Sequence, residues 1–152
     1  MEFSIDYTAD VQQKSLMYDV EECAFYTNPS VNEINFDIVL NKLNLTTVDD
    51  DNKIVQLWGF CGYKEWINAK YNVPKSRTGA LKIIETLEGG LAYKISNEDF
   101  PVYVNKQSGW ICIGNPEEKG NAVEFITGCV AVINDDKNFV SLWLKPQSLP
   151  DV

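Results

Sequence analysis

The stretch Tyr63-Lys64-Glu65-Trp66-Ile67-Asn68-Ala69-Lys70-Tyr71-Asn72, "YKEWINAKYN", decides whether this chain reads as all β or as mixed. Tyr63, Trp66, Ile67, Lys70 and Tyr71 recur at the spacing of one helical face. Val73-Pro74 follows, and a proline drives the residue before it out of the helical region. The spacing predicts a short amphipathic helix over residues 63–72, with Trp66 and Ile67 turned toward a sheet and Glu65 toward solvent.

On either side of this stretch the apolar residues mostly alternate, the period of a strand with one buried face. Phe3, Ile5 and Tyr7 share one face, and Ile34, Phe36, Ile38 and Leu40 share another. Leu43 and Leu45 resume the alternation after a one-residue shift that implies a bulge. Turn residues then mark three hairpins. They pair residues 81–87 with 91–96 around Gly89-Gly90, 102–105 with 110–113 around "KQSG", and 122–133 with 139–144 around "NDDKN". Residues 10–26 stay open between the loose capping-box form of Asp10 to Gln13 and the alternation of Leu16, Tyr18 and Val20. The expected fold class is α+β: a mainly antiparallel, strongly twisted or partly closed sheet built from hairpins, with one or two short helices. With no repeat, linker or low-complexity tract, residues 1–152 read as a single globular domain.

Composition agrees with a folded chain of this size. The residues are 45% hydrophobic and 23% charged, enough for a core without disulfide or metal staples. No apolar run approaches the ~20 residues of a membrane span. The first ten residues, interrupted by Asp6 and Asp10, lack the apolar centre of a signal peptide. The expected compartment is the cytoplasm. Cys23, Cys61, Cys112 and Cys129 show no CxxC spacing, so free, mostly buried thiols are expected rather than a zinc or redox site.

Catalytic readings find little support. The chain has no histidine, the commonest general base and metal ligand. "GWICIGNPEEKG", residues 109–120, invites a phosphate-loop reading, but Glu117 and Glu118 stand where the anion would sit. Asn115-Pro116 followed by two acids is instead the chemistry of a capped helical turn that Gly120 ends. Cys112 lies among Trp110, Ile111 and Ile113, with nothing to lower its pKa, and reads as core. Asp49-Asp50-Asp51-Asn52 lacks the glycine and distal glutamate of a calcium loop and reads as a solvated turn. Glu85 and Glu124 stand in apolar contexts that solvent-face alternation explains. No catalytic residue, metal site or cofactor is expected.

Charge is the informative quantity. Residues 1–52 hold eleven acids against two bases, which accounts for the whole formal charge of −9, and the remaining hundred residues are balanced. A phosphate backbone or an anionic membrane surface would be repelled. A basic protein partner would be steered in. Asp19, Glu21, Glu22, Asp49, Asp50 and Asp51 are the candidate partner-binding acids. Trp58 and Trp66 are added from an aromatic-rich run in which exposed members would mark a binding face. In size and charge the chain is similar to the small acidic immunity proteins that neutralise bacterial toxins, often basic nucleases, although no motif identifies a family. The expectation is a non-enzymatic binding protein. Its alternatives are a small-molecule pocket lined by tryptophans and, third, an enzyme using paired carboxylates.

Overall fold

The computed structural model describes residues 1–48 and 51–150. In chain order the strands begin with β1 (Phe3–Asp6), β2 (Ser15–Asp19), β3 (Ala24–Asn28), β4 (Phe36–Leu40), β5 (Leu43–Thr47) and β6 (Ile54–Phe60). Next come β7 (Ile67–Asn68), β8 (Arg77–Thr78), β9 (Ala80–Ile83), β10 (Ala92–Lys94) and β11 (Val102–Asn105). The chain ends with β12 (Trp110–Gly114), β13 (Asn121–Ile126), β14 (Cys129–Ile133) and β15 (Phe139–Leu144). They form a six-stranded sheet ordered β10-β4-β5-β6-β3-β2, a seven-stranded sheet ordered β7-β11-β12-β15-β14-β13-β8, and the pair β1-β9. Strand makes up 47% of the chain and helical conformation 2%. The fold is therefore nearly all β, in three sheets, and the α+β expectation is overturned.

The stretch 63–72 is where the expectation failed. Only Tyr63–Glu65 make a single 3₁₀ turn, and Trp66 is already extended at φ −67°, ψ 139°. Ile67–Asn68 then pair in parallel with Tyr103–Val104 of β11, and the Ala69 N–H donates to the Val104 carbonyl at 3.0 Å. A ten-residue helix is marginal by itself. The unpaired edge of β11 offers this backbone hydrogen-bond partners, and the aromatic residues serve two cores rather than one. Tyr63 and Trp66 pack on the core between the large sheets, with Trp66 stacked on Phe25 at 6.1 Å. Tyr71 and Val73 cover the far side of the seven-stranded sheet. Ile67, expected to face the sheet, is exposed. Trp66→Ala is accordingly expected to cost about 2–3 kcal/mol, less than a fully buried tryptophan would. Ile67→Ala should stay within about 0.5 kcal/mol. Chemical denaturation of both variants checks the pair.

The hairpin readings divide. β11–β12 and β14–β15 pair as expected, Val102 with Ile113 and Ile133 with Phe139 at their ends. Residues 122–133, read as one arm, are two strands folded at Thr127-Gly128. The pairing around Gly89-Gly90 does not form. β9 lies antiparallel to β1, Phe3 opposite Ile83, and β10 lies parallel to β4. Burial decides this, because Leu81 and Ile83 are drawn into the core with Phe3. The expected bulge between Leu40 and Leu43 is a two-residue turn in which those leucines face each other. Asn41 takes the left-handed backbone there, φ 54°, as asparagine does readily. Within residues 10–26 the alternation prevails over the capping box: Gln12 bridges Ile126, and from Ser15 the chain enters the β2–β3 hairpin, with Leu16 and Tyr18 inward but Val20 exposed in the turn.

One apolar cluster joins the inner faces of both large sheets and the β1-β9 pair. A second lies on the outer face of the seven-stranded sheet, where Cys112, Val130, Val132, Val140 and Trp143 sit beneath Tyr71, Val73 and Trp110. Covering both faces explains why β14 is buried at every position. No helix among the described residues is long and apolar enough to cross a membrane.

Candidate binding face

The six-stranded sheet buries Leu16 and Tyr18, Phe25 and Thr27, Leu43 and Leu45, and Phe36, Ile38 and Leu40 on its inner face. Alternation then turns the intervening residues outward. Register places Met17 opposite Tyr26, Tyr26 opposite Trp58 and Trp58 opposite Asn44. One step along, Asp19 faces Ala24 and Ala24 faces Phe60. Side chains so related stand about 4.5–5.5 Å apart at Cβ, so Tyr26, Trp58 and Phe60 are neighbours on one surface. They are 42%, 40% and 49% exposed, which makes the patch open rather than merely peripheral.

The tryptophan at its centre is held in place. The Trp58 Nε1–H donates to Thr46 Oγ1 at 2.9 Å, and the Thr46 hydroxyl donates in turn to Asp37 Oδ1 at 2.5 Å. Thr46 itself is fully buried. Lys42 lies over the Phe60 ring, its Nζ 5.3 Å from the centroid. Gly59, at φ 141°, lets β6 and the β4–β5 turn approach: any Cβ there would press into the Lys42 carbonyl. Aromatics fixed in advance lose little freedom on binding.

The acidic residues are split by the same register. Asp19 ends β2, and Glu21 and Glu22 occupy the turn between it and Ala24, the residue opposite Phe60, with both glutamates exposed. The Asp19 carboxylate accepts from the Glu21 and Glu22 N–H groups at 3.0 and 3.2 Å, so it shapes the turn while the two glutamates project. Asp51 accepts from the Lys53 N–H at 3.1 Å at the opposite end of β6. The length of that strand, roughly 20 Å at ~3.3 Å per residue, separates it from the first group. Asp49 and Asp50 lie outside the described residues. Trp66 does not join the patch. It fills the space beside Tyr18 and Phe25, donates its indole N–H to Cys61 Sγ at 3.3 Å, and meets Phe60 only across a cleft of about 100 Å³. Tyr26 falls in the segment 10–26 whose capping-box and alternating patterns compete, which hides its outward position. Alternation through "AFYTN", with Phe25 inward and Tyr26 outward, was the available signal.

Other candidate chemistry finds structural roles. Asn115 Oδ1 accepts from the N–H groups of Glu117 and Glu118 at 3.1 and 3.3 Å. The cap exists, but the loop bends without the expected helical turn. Between this loop and residues 72–74 lies a cleft of about 330 Å³, and Trp143 is the single tryptophan among its lining residues. Glu124 Oε2 accepts from the Gly128 N–H at the β13–β14 turn, and Glu85 Oε1 accepts from the Glu2 N–H. Neither is a purely solvent-facing acid.

Burial pushes the Cys112 thiol up to about 12 and the Cys61 thiol up to about 11 from the ordinary 9.0. Burial, and secondarily Glu124, raises Cys129 further still. The folded chain thus keeps protons that the unfolded chain releases. The stability these thiols contribute is fully present below about pH 9 and lost as pH rises through about 11 to 12. Denaturation midpoints are expected to fall between about pH 9 and pH 12, and Cys112→Ala should shrink that fall.

No protein-family model matches the chain, and no curated protein matches it in sequence.

Proposed function

We propose that this protein is a non-enzymatic binding protein whose six-stranded sheet docks a protein partner carrying basic side chains. The observation that carries the reading is the neighbouring exposure of Tyr26, Trp58 and Phe60, with Glu21 and Glu22 projecting at the end of the row. Aromatic side chains supply most of the energy at interface centres. Acidic groups at the rim steer a basic partner and raise its association rate. The base on the patch itself is Lys42, over the Phe60 ring, and Lys14 stands at the far end of the β2–β3 pair with its Nζ on the Pro29 carbonyl. Inhibition of a basic enzyme, in the manner of small acidic immunity proteins, is the form of this reading that the chain's size and charge favour.

The experiment compares tagged wild type, Trp58→Ala and the double variant Glu21→Lys/Glu22→Lys as baits, leaving the turn-forming Asp19 intact. A basic protein should be retained by the wild type and lost from Trp58→Ala. The double variant should retain less of it, with weaker dependence on salt. Retention of the same proteins by all three baits would rule out this face.

A further inference from the structure

Cys23 ends the turn after β2 and Cys61 follows β6, so the two stand opposite each other one step beyond the Ala24–Phe60 pair. The Cys61 N–H donates to the Cys23 carbonyl at 2.8 Å. This is one of the two backbone bonds of an opposed antiparallel pair, the Cys23 N–H turning to the Val20 carbonyl instead. A single such bond still holds the two backbones roughly within the 4.4–6.8 Å between Cα atoms that disulfides span. Both sulfurs also lie against one phenol. Burial first, then the Cys23 and Cys61 thiols, raise the Tyr18 hydroxyl, and the Cys23 thiol hydrogen-bonds it. The same hydroxyl donates to the Cys61 carbonyl at 2.6 Å. Access differs between the two. Cys23 is partly exposed, whereas Cys61 is buried but lines the cleft beside Trp66. Cys23 further adopts φ 52°, a turn conformation that glycine or asparagine takes more readily.

We propose that Cys23 and Cys61 are a dithiol pair that a small-molecule disulfide oxidises to a cross-strand disulfide. Cys23, the more accessible of the two, reacts first. Its thiolate attacks one sulfur of the oxidant, the oxidant's S–S bond breaks, and the departing half leaves as a thiolate that takes up the proton Cys23 released. The Cys61 sulfur then attacks Cys23 Sγ in the mixed disulfide and expels the second half, which leaves as a thiol with the Cys61 proton. Two protein thiols are oxidised and one small disulfide is reduced to two thiols. Burial of the Cys61 thiol makes this second step the slower one. Cys112 lies in the outer layer of the other sheet and Cys129 starts β14, and both are buried, at 1% and 0% exposure. The bond would tether the Glu21–Glu22 turn to the end of β6, but the pair's chemistry does not depend on partner binding.

The test incubates the full chain with glutathione disulfide and follows it by intact mass and non-reducing peptide mapping. The wild type should lose two hydrogens and yield one cross-linked peptide pair containing Cys23 and Cys61, reversed by dithiothreitol, with Cys112 and Cys129 still thiols. Cys61→Ser should stop at a glutathione adduct on Cys23. Cys23→Ser should leave Cys61 unmodified over the same time. A wild type that stays fully reduced, stops at the Cys23 adduct, or cross-links through Cys112 or Cys129 would overturn the pairing. So would adduct formation on Cys61 in Cys23→Ser at the wild-type rate.

Discussion

Trp143→Ala is expected to lower stability by about 3–5 kcal/mol, the range for removing a buried tryptophan. Trp143 is 2% exposed on the outer face of the seven-stranded sheet, a face that a single-layered sheet would leave wet. Its cover is the segment after β7, which brings Tyr71 and Val73 over the strands. The cover is anchored at its base: Asn105 Nδ2 donates to the Tyr71 carbonyl at 3.1 Å. The indole N–H also donates to Ser141 Oγ at 3.0 Å, and Ser141 is 1% exposed. Truncation therefore opens a cavity and strips a buried hydroxyl of its partner. The measurement is a denaturation midpoint at unchanged m-value. A loss below about 1 kcal/mol would mean that solvent reaches Trp143 and that the outer face is not a second core.

Trp58→Ala is expected to weaken binding of the basic partner by at least about 30-fold, the effect of losing an interface residue worth about 2 kcal/mol. Stability should fall by only about 1–2 kcal/mol, because the ring is 40% exposed but losing its indole N–H leaves the buried Thr46 hydroxyl one partner short. The loss should appear chiefly as faster dissociation. Glu21→Lys/Glu22→Lys should act on the other rate constant, slowing association about 10-fold or more at low salt and flattening its salt dependence. The two variants thus separate contact from steering. Equal affinity in folded Trp58→Ala would remove the aromatic row from the interface, and an unchanged salt dependence in the charge variant would remove the turn.

The sequence by itself determined the strands whose two faces differ. Phe36, Ile38 and Leu40 recur at every second position and are buried while Asp37 and Val39 between them are only half-buried, and Leu43 and Leu45 flank the half-buried Asn44 in the same way. Cys112 read as core for a local reason, its apolar flanks, and it is core. The deficit of bases in residues 1–52 was likewise plain. Tertiary structure decided the rest, because sequence spacing records which residues are apolar but not which surface each one meets. Tyr63, Trp66 and Tyr71 imitate one helical face, yet the first two close one core and the last another. Leu81 and Ile83 left the tight turn beside them for a distant partner, Phe3, since a local hairpin would have forgone the burial they gain. The binding face follows the same rule. Only the order β6-β3-β2 sets Trp58 beside Tyr26 and brings Phe60 to the Asp19 turn, while the same β6 carries Asp51 to its far end. A charge count is additive along the chain. The surface those charges make depends on which strands the buried side chains pull together.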